Sequence, residues 1–168
     1  MAVVEVKEDW APADAALERE ILGLIKRAAR FVDDQLYMDW LDLFCDEGVY
    51  GAITQENYTS TGLHLYKDYG KATIHERIGF LKGLWQTPRA KSLHLVTNTE
   101  AYVDVSGTKA YARSNFLMTR TGELQHAKLH ACGVYNDKFV LQDGAWLFSE
   151  RLVVVDSNML PSEFTELL

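Results

Sequence analysis

Residues 133–156 read GVYNDKFVLQDGAWLFSERLVVVD. Asp143-Gly144 stands between two runs rich in Val, Phe, Tyr and Trp, the strongest short-range signal for a β-hairpin. Further back, Thr121-Gly122 and Ser106-Gly107 punctuate two more runs of the same kind. From Ser92 onward the chain therefore predicts four long strands, at about 92–104, 109–121, 124–140 and 145–156, in an antiparallel meander. In the last strand, alternation puts Trp146, Phe148, Leu152 and Val154 on one face, which is assigned to the core.

The first half has a different period. Leu17, Ile21, Leu24, Ala28 and Phe31 recur at helical spacing and form one apolar stripe, with Pro12 and Asp14 as start signals. A second short helix follows, with Leu36, Trp40, Leu43 and Phe44 on one side. Residues 49–54 (VYGAIT) predict a short strand, and 55–71 show no period and read as a loop. A third helix is expected from Thr73 to Gln86, with Ile74, Ile78, Leu81 and Trp85 inward. Helices first and a meander after them predict an α+β domain. Long strands packed on a helical layer would curl into a cone, whose mouth is either a pocket or filled by side chains.

The chain has 168 residues and a mass of 19.1 kDa, the size of one domain. The expected division is an N-terminal arm (1–14), the cone (15–160) and a C-terminal tail (161–168). The composition, 48% hydrophobic and 24% charged with only 3 Pro, excludes a disordered or collagen-like chain. The net charge is −7 and no basic stripe exists, which argues against nucleic acid as a partner. Residues 1–47 carry 12 acidic and 5 basic side chains, so the acidity is concentrated in this first part of the chain, read as a solvated face or else a surface for a basic partner. No run of about 18 apolar residues suggests a membrane span. Residues 1–10 lack the basic start and apolar core of a signal peptide, and Cys45 and Cys132 have no paired spacing. The expectation is a cytoplasmic chain with reduced thiols.

Several chemistries are excluded by pattern. There is no phosphate-binding glycine loop, no dinucleotide fingerprint, no nucleophile elbow and no C-x-x-C. Two cysteines cannot build a four-thiolate site, and a Rieske cluster needs two closely spaced Cys-His pairs where only His130 and Cys132 are close. His126 and His130, read as strand residues on one face, would stand two pleats apart, too far for an easy shared metal. No metal site is therefore expected. A pocket dyad remains: His94 on the first long strand could meet Asp33 or Asp34 from the first helix, with Tyr50 adding a donor. A carboxylate-held His is a workable general base for dehydration or isomerisation. The competing reading makes His94 and Asn98 satisfied polar groups that bind local backbone or a partner chain. Arg151 and Asp156 fall on opposite faces of the last strand and each needs its own partner, in an interface ion pair or a backbone cap.

The run His94-Leu95-Val96-Thr97-Asn98 resembles the H-x-V-S/T-N segment in small (β) subunits of aromatic-ring-hydroxylating dioxygenases. Gly133-Val-Tyr135-Asn-Asp137-Lys-Phe139, Asp143-Gly144-x-Trp146 and Arg151-Leu-Val-Val-Val-Asp156 are similar to that family's C-terminal signature. Phe31-Val-Asp33-Asp34, Trp40, Leu43-Phe44, Tyr50 and Glu76-Arg77 match its first helices, first strand and third helix. The resemblance spans about residues 15–160. It implies a cystatin-like (nuclear-transport-factor-2-like) cone and a subunit without a cofactor of its own. It further implies a three-plus-three hetero-hexamer with a large (α) subunit that holds the Rieske 2Fe–2S cluster and a mononuclear Fe(II). The wording around Tyr135–Phe139 is closest to the branch acting on aromatic acids such as terephthalate or hydroxybenzoates. In this reading no catalytic residue is expected here, and His94, Asn98, Arg151, Asp156, Tyr50 and Trp85 are candidates for contact with the large subunit.

Overall fold

The computed structural model describes residues 10–60, 62–83, 90–123, 125–156 and 167–168. A short strand β1 (Trp10–Pro12) leads into helix α1 (Ala15–Asp33) and a single turn α2 (Tyr37–Leu41). Strand β2 (Phe44–Thr54) is followed by α3 (Gln55–Ser60), β3 (Tyr66–Tyr69) and α4 (Lys71–Gly83). The long strands β4 (Lys91–Asp104), β5 (Lys109–Thr121), β6 (Lys128–Gln142) and β7 (Ala145–Val155) complete the order.

α1 starts where its sequence says it must. The Asp14 carboxylate accepts hydrogen bonds from the Ala16 and Leu17 amides, at 3.0 and 2.8 Å, and so satisfies donors that the first turn leaves open. The buried stripe is Ile21, Leu24, Ile25, Ala28, Ala29 and Val32, with Leu17 and Phe31 at its margins. In α4, Ile74 and Ile78 are buried and Leu81 is partly so, while Trp85 lies outside the described residues.

The sheet has seven strands in the order β1-β4-β5-β6-β7-β2-β3. It is mixed, where the sequence suggested an antiparallel sheet: β2 runs parallel to β7, pairing Tyr50 with Arg151 and Ala52 with Val153. The meander is antiparallel throughout, so only a strand from the first half could introduce a parallel neighbour. β2 is also longer than the short strand expected. The stretch expected to be a loop holds α3 and β3, and β3 pairs Val49–Ala52 with Tyr66–Tyr69. Part of the expected arm is a strand too, since Trp10–Pro12 pair with Tyr102–Asp104. His126 precedes β6 instead of lying on it.

Register shifts interrupt four of the ladders and add bend to the sheet. One of them changes the core. Phe139 faces Phe148 but Lys138 faces Glu150, leaving Ser149 as an extra residue in β7. The alternation therefore changes phase after Phe148, and the inward set becomes Trp146, Phe148, Arg151, Val153 and Val155. Leu152, assigned to the core from simple alternation, is only half-buried. One hydrophobic cluster joins α1, α2 and α4 to the inner face of the sheet, and it includes Leu167 and Leu168.

Candidate functional site

Three polar clusters lie within this interior. The first joins α1 to β4. Asp33 ends α1, and the following turn (Asp34 amide to Arg30 carbonyl, Gln35 amide to Val32 carbonyl, Gln35 φ 58°) stops the helix. The Asp33 carboxylate accepts the His94 backbone N–H at 3.1 Å through either oxygen, and its Oδ1 lies 2.6 Å from His94 Nδ1. Both side chains are buried, at 1% exposure for His94 and 7% for Asp33. With Asp33 ionised, Nδ1 is the protonated nitrogen and Nε2 is the acceptor. Nε2 is buried and has no hydrogen-bond partner among the described residues. A carboxylate-held imidazole with an uncommitted Nε2 can take up a proton. Asp34, the alternative partner, is exposed and serves the helix end. A small recess lined by Val32, Asp33, Gln35, Tyr37, Ala90 and Ser92 lies beside the dyad.

The second cluster centres on Tyr50, fully buried on β2. Its hydroxyl accepts from Tyr66 Oη at 2.9 Å and from the Leu168 N–H at 2.9 Å, and donates to the Leu168 carbonyl at 3.2 Å. One donor and two acceptor positions are all a hydroxyl has, so it is saturated. The Arg77 guanidinium stacks 3.9 Å from the Tyr66 ring centroid and forms a two-point ion pair with Asp68. Burial raises the pKa of both Tyr50 and Tyr66, the latter well above the usual value, so both stay protonated.

The third cluster is an ion pair in the core. Arg151 Nε and Nη2 donate to the two carboxylate oxygens of Asp137 at 2.9 and 2.8 Å. The guanidinium sits between the rings of Tyr135 (4.5 Å) and Phe148 (4.4 Å). Exposure is 1% for Arg151 and 0% for Asp137. Burial pushes the Asp137 carboxyl up, against the pull of Arg151. Burial alone would lower the Arg151 pKa, but Asp137 raises it, so the guanidinium stays charged.

The sequence candidates thus separate. His94 and Asp33 meet. Tyr50, Arg151 and the His94 side chain, expected at a subunit contact, are instead buried inside this chain, Tyr50 and Arg151 with their polar atoms satisfied there. Asn98 is exposed at the register shift of β4, with φ 51°, a conformation Asn tolerates. Asp156 is exposed and its amide donates to the Cys132 carbonyl. Trp85 lies outside the described residues. Asp137 and Arg77 enter the sequence reading only as letters of the family resemblance, and Tyr66 and Asp68, in the stretch without a period, carry no signal that marks them as site residues. Among the described residues no three His, Cys, Asp or Glu side chains converge as a metal site would require, and no helix is long and apolar enough to cross a membrane.

Residues 13–152 match the SnoaL-like domain family. No curated protein matches the chain by sequence. Among solved structures, it is similar to the beta subunit of a candidate aromatic-ring-hydroxylating dioxygenase from Novosphingobium aromaticivorans. The TM-score there is 0.78 at 18% identity, over 90% of this chain and 95% of that one. The beta subunit of benzoate 1,2-dioxygenase from Burkholderia mallei aligns with a TM-score of 0.73 at 16% identity, over 89% of this chain and 96% of that one. A candidate scytalone dehydratase from N. aromaticivorans aligns with a TM-score of 0.66 at 18% identity, over 84% of this chain and 85% of that one. At these identities the likeness is one of fold: helices packed on a curved, unclosed mixed sheet, of the nuclear-transport-factor-2-like type.

Proposed function

Because the chain belongs to the SnoaL-like domain family, we propose that it is the non-catalytic small subunit of an aromatic-ring-hydroxylating dioxygenase, serving assembly. The observation that carries this reading is what the resemblance signature does here. Tyr135, Asp137 and Arg151 hold one another in a buried stack instead of facing a cavity. Tyr50, the donor a pocket chemistry would want, is saturated by Tyr66 and Leu168. The signature thus maintains a shape, as an assembly subunit requires. The higher TM-scores with the beta subunits than with the candidate dehydratase support the same reading.

In this reading both iron centres belong to the large subunit, and this chain supplies no ligand to either. An aromatic acid is the preferred substrate class of the complex. An assembly subunit also needs apolar surface to bury. Leu93 and Leu95 on β4, Leu117 on β5 and Leu129 on β6 are exposed on one face of the sheet, with Leu95 directly opposite Leu117.

The test is a tagged purification from the native host with native mass, iron and labile sulfide measured. The expected result is co-purification with a larger iron-containing chain near one-to-one. An iron-free homo-oligomer without a partner overturns the proposal. The uncommitted His94 Nε2 favours a second reading, a stand-alone dehydratase or isomerase working through the His94–Asp33 dyad. His94→Ala tests that second reading: loss of turnover by this chain alone, with its circular dichroism unchanged, supports the enzyme, and unchanged turnover removes the dyad from it.

A further inference from the structure

Strand β4 has a long free side. On one side it pairs with β5 along its length; on the other, its described neighbour is β1, which reaches only Tyr102–Asp104. The His94 N–H points to the free side, because it donates to the Asp33 carboxylate instead of to β5. The register with β5 is unbroken from Lys91 to Thr97, so alternation turns the backbone groups of Ser92 and Val96 the same way. A strand edge of this kind is a template for another strand. What lies along it is α1, tied at its start by the Ala13 N–H to the Ala101 carbonyl and at its end by Asp33 to His94.

A second copy of the same edge fits it. The stretch is Ser92-Leu93-His94-Leu95-Val96, and Leu-His-Leu at its centre reads the same in either direction. A two-fold axis at His94 sets the two strands antiparallel, with His94 opposite His94, Leu93 opposite Leu95 and Ser92 opposite Val96. The pairs whose backbone groups face the free side each exchange two hydrogen bonds. Leu93 and Leu95 are exposed, and Leu95 adjoins Leu117, so the leucine face runs on from one copy into the next. The central pair needs the one N–H that Asp33 holds. An ionised carboxylate accepts that N–H as a strand carbonyl would, yet it has no donor to return. The same axis would also bring the Asp33 carboxylates of the two copies together, and like charges repel.

We propose that the β4 edge is a self-pairing surface for a second copy of this chain, and that Asp33 is the guard that keeps it closed. Removing the carboxylate frees the His94 N–H, and a backbone donor left unpaired needs an acceptor. The His94 carbonyl of the second copy supplies it, and the two seven-stranded sheets become one.

The test uses the full chain carrying Asp33→Ala, beside the unaltered chain, followed over a concentration series by sedimentation velocity and by amide hydrogen exchange. Whatever mass the unaltered chain has, D33A is expected to double it at least about tenfold more tightly than the unaltered chain does. On association the His94 and Val96 amides become protected from exchange. Adding Leu117→Lys charges the leucine face but leaves the edge intact, so D33A/L117K is expected to keep that protection. Equal association of D33A and the unaltered chain overturns the proposal, as does association that leaves these two amides exchanging as before. Protection lost in D33A/L117K also overturns it, because the contact would then be the face and not the edge. If D33A loses its circular dichroism, Asp33→Asn, which removes the charge at nearly the same size, is measured by the same criteria. Loss of the fold in both overturns the proposal, because Asp33 would then hold the fold and not the edge. No large subunit enters the assay, so its outcome is independent of the assembly reading.

Discussion

Arg151 shows how a single side chain can be read correctly in kind and incorrectly in place. Its sequence context demands a partner, and the partner is Asp137 on the neighbouring strand. Counting outward from Asp143-Gly144 puts Asp137 opposite Glu150; the extra residue Ser149 moves it opposite Arg151. A bulge carries no sequence signal of its own, so the ion pair is illegible in the sequence although both residues belong to the family resemblance. A buried pair of this kind punishes the loss of one member, because the other charge stays behind unpaired. Arg151→Met should therefore cost about 3–5 kcal/mol of folding free energy, while replacing both residues with D137L/R151M should recover most of it. Urea denaturation checks both; a double variant as unstable as the single one would show that the pair contributes more than mutual neutralisation. His94 is the opposite case. The sequence offers Asp33 or Asp34 as its partner, and the end of α1 against the start of β4 decides for Asp33.

At the scale of elements, what was legible is what has a period. α1 announced itself through its stripe and its Asp14 cap, and the meander through three turn signals. The stretch 55–71 was opaque because α3 spans six residues and buries none, while β3 is held by backbone pairing to β2. Neither leaves an apolar rhythm to read. The same distinction, between local pattern and long-range approach, governs the glycines. A Cβ on Gly133 would stand 2.0 Å from the Val154 carbonyl oxygen, a backbone atom fixed in the β6–β7 ladder. Gly133 also lies opposite Phe116, whose ring stacks on Tyr135 at 4.4 Å. Gly133→Ala should destabilise by about 3 kcal/mol or more, at or above the upper end of ordinary overpacking. Gly23, exposed on α1, has nothing within 4 Å of its absent Cβ. Gly23→Ala should stabilise by about 0.5–1 kcal/mol, the usual gain of Ala over Gly within a helix. Chemical denaturation of the two variants should shift in opposite directions; a shift in the same direction would mean that one of these local accounts is wrong.

The whole molecule sets a packed interior against an outer face that leaves leucines in solvent. Under the assembly reading, L95K/L117K places two charges on that face and should abolish co-purification with a large subunit while leaving thermal stability within about 0.5 kcal/mol, as surface changes do. Retained co-purification would move the interface elsewhere. The interior has a pH signature of its own. Burial raises the pKa values of Tyr50, Tyr66, Tyr111 and Tyr135 above the ordinary value near 10. Below pH about 10 these phenols are protonated in both the folded and unfolded chain, and stability is unaffected. Above it the unfolded chain gives up protons that the folded chain keeps, so each step upward favours unfolding. The loss is about 1.4 kcal/mol per pH unit for each such tyrosine until the folded value is reached. Four acting together would exhaust a typical stability of about 5–15 kcal/mol within roughly one to three pH units. Of the eight tyrosines, these four should therefore ionise in one cooperative step that coincides with the loss of circular dichroism. Tyrosinate absorbance near 295 nm, followed alongside circular dichroism from pH 9 upward, checks this. Ionisation of these four near pH 10 with the fold intact would show that water reaches the hydroxyls this interior is built to enclose.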